Sequence, residues 1–242
     1  MPEIDATAKK VDSSSYTSGY NVEGWMLSAQ YNYDTKYYVS ASYRRDASSY
    51  FAKDHRWGDF WSVGGAWLLN KESFMDNASW IDILKVKASI GQQGNDNIGQ
   101  WAYVDLFELV KNDDTSMSSS FYRKGNPEIT WETTTNLNLG VEFSFWGGRL
   151  SGNVDWYRKK TSDLLFWVSI PESSGTRGMY QNIGDIRNSG IEVNISADVI
   201  RTKKVTWNVS ANFAHNKTKI LSLPAAKTSN DLGGWSEATP NG

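Results

Sequence analysis

Eight segments of this 242-residue chain alternate apolar and polar side chains with a period of two. In one of them, Leu137, Leu139 and Val141 alternate with Asn138 and Gly140. Successive side chains of a strand point to opposite faces, so the pattern predicts strands with one apolar and one polar face. No helical periodicity of comparable strength competes with it. The chain is therefore predicted to be all-β and antiparallel, with strands over 25–33, 37–44, 61–69, 84–91, 136–145, 150–156, 191–199 and 205–213.

Each predicted strand has roughly ten residues, the length that a tilted strand needs to cross a bilayer. The connections between the strands differ in length. Tight turns are predicted at 34–36, 147–148 and 202–203, with a medium connection at 70–83. Long polar stretches alternate with them, at 46–58, 92–134, 158–189 and from 214 onward. Short turns on one side and long loops on the other are typical of outer-membrane β-barrels.

The aromatic content is high for a chain of this polarity. Aromatic residues make up 14% of the chain, with 12 Trp and 12 Tyr, at a mean hydropathy of −0.54. On the predicted apolar face they lie near the short turns (Tyr33, Tyr37, Trp67, Phe143, Phe145, Trp207) and near the long loops (Trp25, Tyr43, Trp61, Trp156, Phe213). Two belts separated by aliphatic residues favour a membrane barrel. A soluble sandwich would bury its aromatic residues in mid-strand.

The predicted polar face is rich in short amides and carboxylates. A closed eight-stranded barrel fills its interior with interlocking side chains and leaves little room for water. Isolated carboxylates are costly in such an interior. The polar face therefore predicts a wide, wet lumen, of which these strands form one arc, lined by Asn136, Asn138, Glu142, Asn153, Asp155, Glu192, Asn194, Asp198, Asn208 and Asn212.

The composition argues against several classes of function. The chain has no cysteine, and its two histidines, His55 and His215, have no second ligand at metal-binding spacing. The net charge is −2 and the basic residues are scattered, so no nucleic-acid partner is expected. Asp163, Asp185 and Glu192 occupy loop or lumen positions without an apolar pocket suited to catalysis. We predict a non-enzymatic protein without catalytic residues, metal or cofactor.

The amino terminus bears on how much of the protein this chain represents. Residues 1–5 have neither a basic region nor an apolar run, so no signal peptide is predicted. No apolar run reaches the roughly 18 residues of a membrane helix. Because a secreted barrel needs a signal peptide, we expect the chain to be a segment of a longer protein.

Six motifs follow one another along the chain in a fixed order. They lie mainly where the predicted strands meet the long loops. They are Arg44-Arg45-Asp46-x-Ser48-Ser49, Glu72-x-Phe74-Met75, Ser89-x-Gly91-x-x-Gly94-Asn95, Gly125-Asn126-Pro127-x-x-x-Trp131-Glu132, Tyr157-x-Lys159-x-Thr161-x-Asp163-Leu164-Leu165 and Asn182-x-Gly184-x-x-x-Asn188-x-Gly190-x-Glu192. We interpret their glycines and asparagines as structural, because glycine permits positive φ and asparagine caps turns.

This ordered set resembles the SusC/RagA family of TonB-dependent outer-membrane transporters of Bacteroidota, over about residues 25–222. The resemblance implies a 22-stranded transmembrane barrel in the cell outer membrane, closed by a plug domain that this chain does not include. It implies that the TonB complex acts through that plug and that a SusD-like lipoprotein forms a lid. It also implies import of nutrients, usually oligosaccharides and sometimes peptides. Outer-membrane lipids would surround the barrel.

Substrate contacts are expected from the long loops. The predicted binding residues combine flat rings with hydrogen-bond donors, as stacking on sugar rings requires, and they are Trp101, Tyr103, Tyr122, Arg123, Trp167, Arg177 and Tyr180. Packing of these side chains against neighbouring loops is the structural alternative. Residues 25–222 are predicted to form the barrel segment, 1–24 an extracellular loop or incomplete strand, and 223–242 an extracellular loop or disordered tail. Two other classes stay open, a soluble or surface β-rich carbohydrate-binding module and a self-contained eight-stranded barrel.

Overall fold

The computed structural model describes residues 18–111, 117–170, 173, 175–176 and 178–222. Within them, eight long strands and four short ones alternate with turns and loops. The long strands are β1 (Val22–Tyr33), β2 (Tyr37–Ser48), β3 (Trp57–Leu68), β4 (Ile81–Asn95), β7 (Glu132–Phe145), β8 (Leu150–Ser162), β11 (Asp185–Arg201) and β12 (Thr206–Ser222). The short strands are β5 (Leu106–Lys111), β6 (Met117–Arg123), β9 (Leu165–Ser169) and β10 (Gly178–Asn182). Single 3-10 turns lie at Lys53–His55, Leu69–Lys71 and Ser73–Met75.

The eight long strands form one antiparallel sheet in the order β1-β2-β3-β4-β7-β8-β11-β12. Strands β5 and β6 form one separate hairpin, and β9 and β10 form another. The all-β antiparallel prediction and the eight main strands are confirmed. Within the described ranges, no helix is long and apolar enough to span a membrane.

Strand register brings the apolar positions onto a single face of the sheet, which we call the outward face. Val141 of β7 lies opposite Val86 of β4 on one side and Val154 of β8 on the other. Val193 of β11 continues the row beside Val154, followed by Phe213 of β12. Directly opposed residues in an antiparallel sheet share a face, so the row is continuous across the strands. Most of its large side chains are exposed.

Aromatic side chains border this face near both ends of the strands, as predicted. Near the short turns, Tyr37 stacks on Trp67 with ring centroids 6.1 Å apart. Two members of this inner belt were not predicted, Trp80 and Trp146, whose stacked rings lie 5.8 Å apart next to Phe145. Both lie in connections rather than in alternating segments, so periodicity could not identify them.

Two rings of the inner belt, those of Tyr37 and Trp67, are hydrogen-bonded to the connection at 70–83. Glu72 accepts hydrogen bonds at Oε1 from the Tyr37 hydroxyl at 2.6 Å and from Trp67 Nε1 at 3.0 Å. The bond from Tyr37 and then the bond from Trp67 hold the pKa of Glu72 below its ordinary value. Glu72, the first residue of the Glu72-x-Phe74-Met75 motif, therefore holds the rings of Tyr37 and Trp67 at the boundary of the apolar band.

Two of the predicted tight turns are short loops, of three residues at 34–36 and four at 146–149, and both turn through positive φ. Asp34 and Thr35 both have positive φ, and so do Gly147 and Gly148. At the opposite ends the strands extend beyond the predicted segments: β12, for example, continues to Ser222. Past Phe213 this strand reads His215, Lys217 and Lys219 on its outward face. Beyond the apolar band both faces of the strand carry polar side chains, so the alternation of apolar and polar residues ends at Phe213. Periodicity therefore detects only the part of each strand that lies within the apolar band.

The opposite face of the sheet is polar and forms a trough of about 980 Å³. Asn138, Gly140, Asp155 and Glu192 are among its lining residues. Ion pairs span this face, from Lys85 of β4 to Glu142 of the neighbouring β7 at 3.1 Å and from Lys87 of β4 to Asp155 of β8, two strands away, at 2.8 Å. The predicted polar lining is thus on one face. The apolar side chains lie on the other face, where no described element covers them. The main buried apolar cluster of the described residues lies instead among the long loops.

Candidate functional site

The loops at the ends of the strands pack into a compact unit, which we call the loop cluster. Its buried apolar residues are Phe51, Phe60, Ile98, Ala102, Ile129 and Trp131. Trp131 is central: its ring contacts Phe51 and Phe60 at centroid distances of 5.5 and 5.3 Å. Its Nε1 donates to the carbonyl of Arg56 at 2.7 Å. The cluster therefore joins the β2–β3, β4–β5 and β6–β7 connections, which are distant in sequence.

The Gly125-Asn126 motif closes the base of the β5–β6 hairpin. A Cβ on Gly125 would lie closer than 3.0 Å to backbone atoms of Val104. The Gly125 amide donates to Asp105 Oδ1 at 2.8 Å, and the Asn126 amide donates to the carbonyl of Ala102 at 2.9 Å. These contacts require a glycine, because any side chain would push the two chain segments apart.

The asparagine side chains of two motifs connect the β9–β10 hairpin to the neighbouring loops. Asn126 Nδ2 donates to the carbonyl of Tyr180 in β10 at 2.9 Å. Asn182 accepts from the Thr130 amide at 2.8 Å and donates to the carbonyls of Thr130 at 2.8 Å and Asp163 at 3.0 Å. The motif residues thus bind backbone groups of the loops, which agrees with the structural interpretation of their asparagines.

The segment before β1 is fastened to the same cluster. The Tyr20 hydroxyl donates to Asp96 Oδ2 at 2.8 Å, and its ring lies against Tyr50 with centroids 4.6 Å apart. Partial burial of the phenol and then the hydrogen bond to the carboxylate raise the pKa of Tyr20 to about 12. The hydroxyl therefore remains protonated, as its role as a donor requires, throughout the physiological range.

Trp101 is the most prominent of the predicted binding residues. It has a positive φ of 61°, which is uncommon for a residue other than glycine, and its side chain is 54% exposed. Gly99, two residues earlier, has a φ of 83°, and Ala102, the next residue, is buried in the cluster. Tyr103 packs against the cluster with its ring 6.4 Å from that of Trp101. A buried anchor thus holds an exposed indole in place.

Three other predicted residues contact one another beside the cluster. Arg123 Cζ lies 5.8 Å from the ring centroid of Tyr180, within the range of a cation–π contact. Trp167 meets the same ring edge-on at 5.1 Å, because it pairs with Tyr180 in the β9–β10 hairpin. Arg123 Nη2 also donates to the carbonyl of Gln100 at 3.0 Å. This bond connects the three side chains to the loop that presents Trp101.

Of the remaining two predicted residues, Tyr122 lies within the described part of the chain and Arg177 does not. Tyr122 is 62% exposed on β6, next to Arg123 in sequence. We call the five that share the cluster, Trp101, Tyr103, Arg123, Trp167 and Tyr180, the aromatic row. The buried anchors Phe51, Phe60, Ile98 and Ile129 were missed, although Phe60, an aromatic residue at a polar-face position of β3, was a signal.

The aromatic row offers flat rings, a guanidinium and hydroxyls among the long loops at one end of the sheet. This arrangement suits binding of a polar ligand that has flat apolar faces. In the described part of the chain, no group of three or more His, Cys, Asp or Glu residues is placed to hold a metal ion. Asp185, one of the carboxylates considered above, is instead paired with Lys160 at 3.2 Å.

Comparison with known proteins shows which family this chain belongs to. Residues 3–240 match the sequence profile of the family described as TonB dependent receptor-like, beta-barrel. TonB-dependent receptor P39 of Formosa agariphila is 36% identical over 193 residues, covering 80% of this chain and 19% of that protein. TonB-dependent receptor SusC of Bacteroides thetaiotaomicron is 35% identical over 225 residues, covering 89% and 22%.

A solved structure agrees with these relatives. The RagAB peptide importer in its open-open state superimposes with a TM-score of 0.79 at 30% identity, covering 90% of this chain and 24% of that one. The chain spans about a fifth of the length of the curated relatives it matches. Its open eight-stranded sheet is thus an arc of a larger barrel, so the soluble module and the self-contained barrel are both wrong. This chain belongs to the TonB-dependent receptor β-barrel family, as an outer-membrane barrel segment of the SusC/RagA type.

Proposed function

We propose that this chain forms part of a TonB-dependent transporter that imports oligosaccharides across the outer membrane. The observation that carries the proposal is the aromatic row, which is held beside the buried residues of the loop cluster. Trp101 is exposed at the tip of a tight loop, while Tyr180 packs on the buried cluster beside Trp167. Flat rings beside hydrogen-bonding groups match the alternating apolar faces and hydroxyls of a sugar chain.

Peptides are the second candidate substrate. The structural likeness to a protein described as a peptide importer supports this alternative. A peptide would use the same aromatic row differently, with apolar side chains in contact with the rings and its carboxylates near Arg123. Both substrates would then cross the barrel along the polar trough, whose lining includes Lys87, Asp155 and Glu192.

The proposed partners follow from the family. A SusD-like lipoprotein would cover the long-loop end, and the TonB complex would act through a plug domain carried elsewhere in the protein. Outer-membrane lipids would surround the outward face, whose side chains such as Leu139 and Phe213 are exposed in this structure. These assignments are consistent with the concentration of rings and hydrogen-bonded loops at one end of the sheet.

The test compares Trp101→Ala with a matched control, Trp207→Ala, in the intact protein. Trp101 is 54% exposed in the row and Trp207 is 55% exposed on the outward face. We expect Trp101→Ala to weaken oligosaccharide binding by about tenfold, equivalent to one stacking contact, and Trp207→Ala to leave it unchanged. Isothermal titration with panels of oligosaccharides and peptides, followed by uptake of labelled substrate into cells, measures both effects.

The panel also separates the alternatives. Binding of peptides but not oligosaccharides, with the same sensitivity to Trp101→Ala, would move the assignment to a peptide importer. Equal binding by the two variants would mean that the aromatic row only packs loops together. Loss of uptake without loss of binding would place Trp101 outside the binding step.

A further inference from the structure

The outward face ends in a group of basic side chains on three neighbouring strands, β8, β11 and β12. This basic patch consists of Arg158, Lys160, Arg187, Lys217 and Lys219. Arg187 is directly opposite Lys160 on one side and Lys219 on the other. The next outward-facing position of β11, Ser189, is opposite both Arg158 and Lys217. The register therefore collects all five on one face.

The basic patch begins directly beyond the outer aromatic belt. Arg158 follows Trp156 by two residues, which is about 7 Å along a strand. Lys217 follows Phe213 by four residues on the same face. Aromatic belts mark the level of the headgroups at a membrane surface. The basic side chains therefore lie at headgroup depth, continuous with the apolar band that contacts the acyl chains.

Among the described residues, only one acidic side chain pairs with the charges of the patch. Lys160 pairs with Asp185 at 3.2 Å, and no other residue of the patch has an ion pair with a described residue. Strand β12 contains neither Asp nor Glu. Like charges directly opposite one another in a sheet are destabilising, and Arg187 faces such a neighbour on both sides. An external anion would relieve this repulsion.

The strands at the opposite edge of the sheet, β1 to β3, do not show this excess of positive charge at their outer ends. At the corresponding outer ends of β2 and β3, Arg45 lies 3.7 Å from Asp59 and its guanidinium stacks 5.2 Å from the ring centroid of Trp57. Glu23 of β1 accepts a hydrogen bond from Trp25 at 3.0 Å. The basic residue there, Arg45, has an acidic partner, in contrast to Arg158, Arg187, Lys217 and Lys219 among the described residues.

We propose that the basic patch is a docking site for a phosphorylated glycolipid of the outer leaflet. The phosphate groups would bind Arg158, Arg187 and Lys219, and the acyl chains would lie along Trp156, Ile191 and Phe213. Arginine presents a planar fork of donors that fits phosphate oxygens, and clustered basic residues bind anionic headgroups cumulatively. The site is separate from the aromatic row, which is made by loops above the sheet.

The test measures lipid binding to the intact protein in detergent by native mass spectrometry. The probes are bis-phosphorylated lipid A, the same lipid after enzymatic dephosphorylation, and inorganic phosphate as a competitor. The variant is Arg158→Gln/Arg187→Gln/Lys219→Gln, and the matched control is Arg45→Gln/Asp59→Asn. We expect the triple variant to lose about a hundredfold in affinity for the phosphorylated lipid and the control to bind like the wild type.

Three results would overturn the proposal. They are equal binding of the phosphorylated and dephosphorylated lipids, unchanged binding by the triple variant, and displacement of the lipid by inorganic phosphate, which would indicate a free-anion site. The comparison of the two lipids uses the wild type, so it decides the matter even if the triple variant does not fold. Arg158→Lys/Arg187→Lys keeps the charge and is expected to retain most of the binding.

Discussion

At the scale of single residues, Asn182 shows why a loop motif can require one amino acid. Its amide oxygen accepts from the Thr130 backbone, while its nitrogen donates to the carbonyls of Thr130 and Asp163. Both ends of the side chain are therefore needed: a carboxylate could not donate, and a hydroxyl is too short to reach all three groups. The amide replaces strand pairing where β7 and β10 approach each other.

We expect Asn182→Ala to lower the free energy of unfolding by about 1–3 kcal/mol, because partly buried backbone groups lose their partner. Proteolysis of the folded protein within residues 124–131 and 163–170 should become faster. Asn212→Ala, on the polar face of β12, is the control and should behave like the wild type. Equal proteolysis of the two variants would show that the backbone holds the loops without this side chain.

At the scale of elements, the β5–β6 hairpin depends on its base rather than on the sheet. Its described strands, Leu106–Lys111 and Met117–Arg123, pair with each other and not with the eight-stranded sheet. Its orientation comes from the close approach of Gly125 to Val104 and from the bond between the Asn126 amide and Ala102. This base also supports Trp101 and Tyr103, so hairpin position and binding geometry are coupled.

Gly125→Ala is therefore expected to displace the hairpin and weaken substrate binding while leaving the barrel folded. The added Cβ has no room beside the Val104 backbone, and a shift of the 101–105 loop separates Trp101 from Arg123. Gly65→Ala is the matched control, because a Cβ there would meet its nearest atom at an ordinary 3.6 Å. Titration with substrate, with heat-induced unfolding of the barrel as the second readout, distinguishes the expected result from global unfolding. Substrate binding equal to that of the wild type would contradict it.

At the scale of the whole molecule, the sheet places its two faces in different solvents. The outward face exposes a continuous apolar surface, and the polar face lines the trough. In a membrane barrel the cost of a buried charge depends on depth and on the face, since the lumen stays wet. In water this chain alone would expose the apolar face and two strand edges, and we expect it to aggregate without detergent.

Val141→Arg should lower the stability of the barrel in lipid vesicles by about 2–4 kcal/mol, because Val141 lies on the outward face between the outer belt, at the level of Trp156, and the inner belt, at Phe143. Val141 is 36% exposed in this structure. Asn138→Arg, three residues earlier on the same strand, points into the trough and should cost much less. Urea titrations of the intact protein refolded into vesicles measure both changes. Similar losses for the two variants would show that the faces have been assigned incorrectly.

The amino-acid sequence by itself determined the number of main strands, their faces, the tight turns and the inner and outer belts. These features are local, because a period of two and a change of solvent at each end of a strand are visible in single segments such as 136–145. The ordered motifs identified the family for the same reason. Their glycines and asparagines occupy loop positions with few alternatives, as Gly125 and Asn182 illustrate.

Only the tertiary structure decided which loops pack together and where charge accumulates. The contact between Phe51 and Trp131, the bond from Asn126 to Tyr180 and the pairing of Arg187 with two lysines join residues that are far apart in sequence. The loop residues follow no regular spacing along the sequence, so their contacts depend on how individual side chains fit together in the folded protein. The basic patch follows from register, since moving one strand by a single residue would turn its charges to the other face.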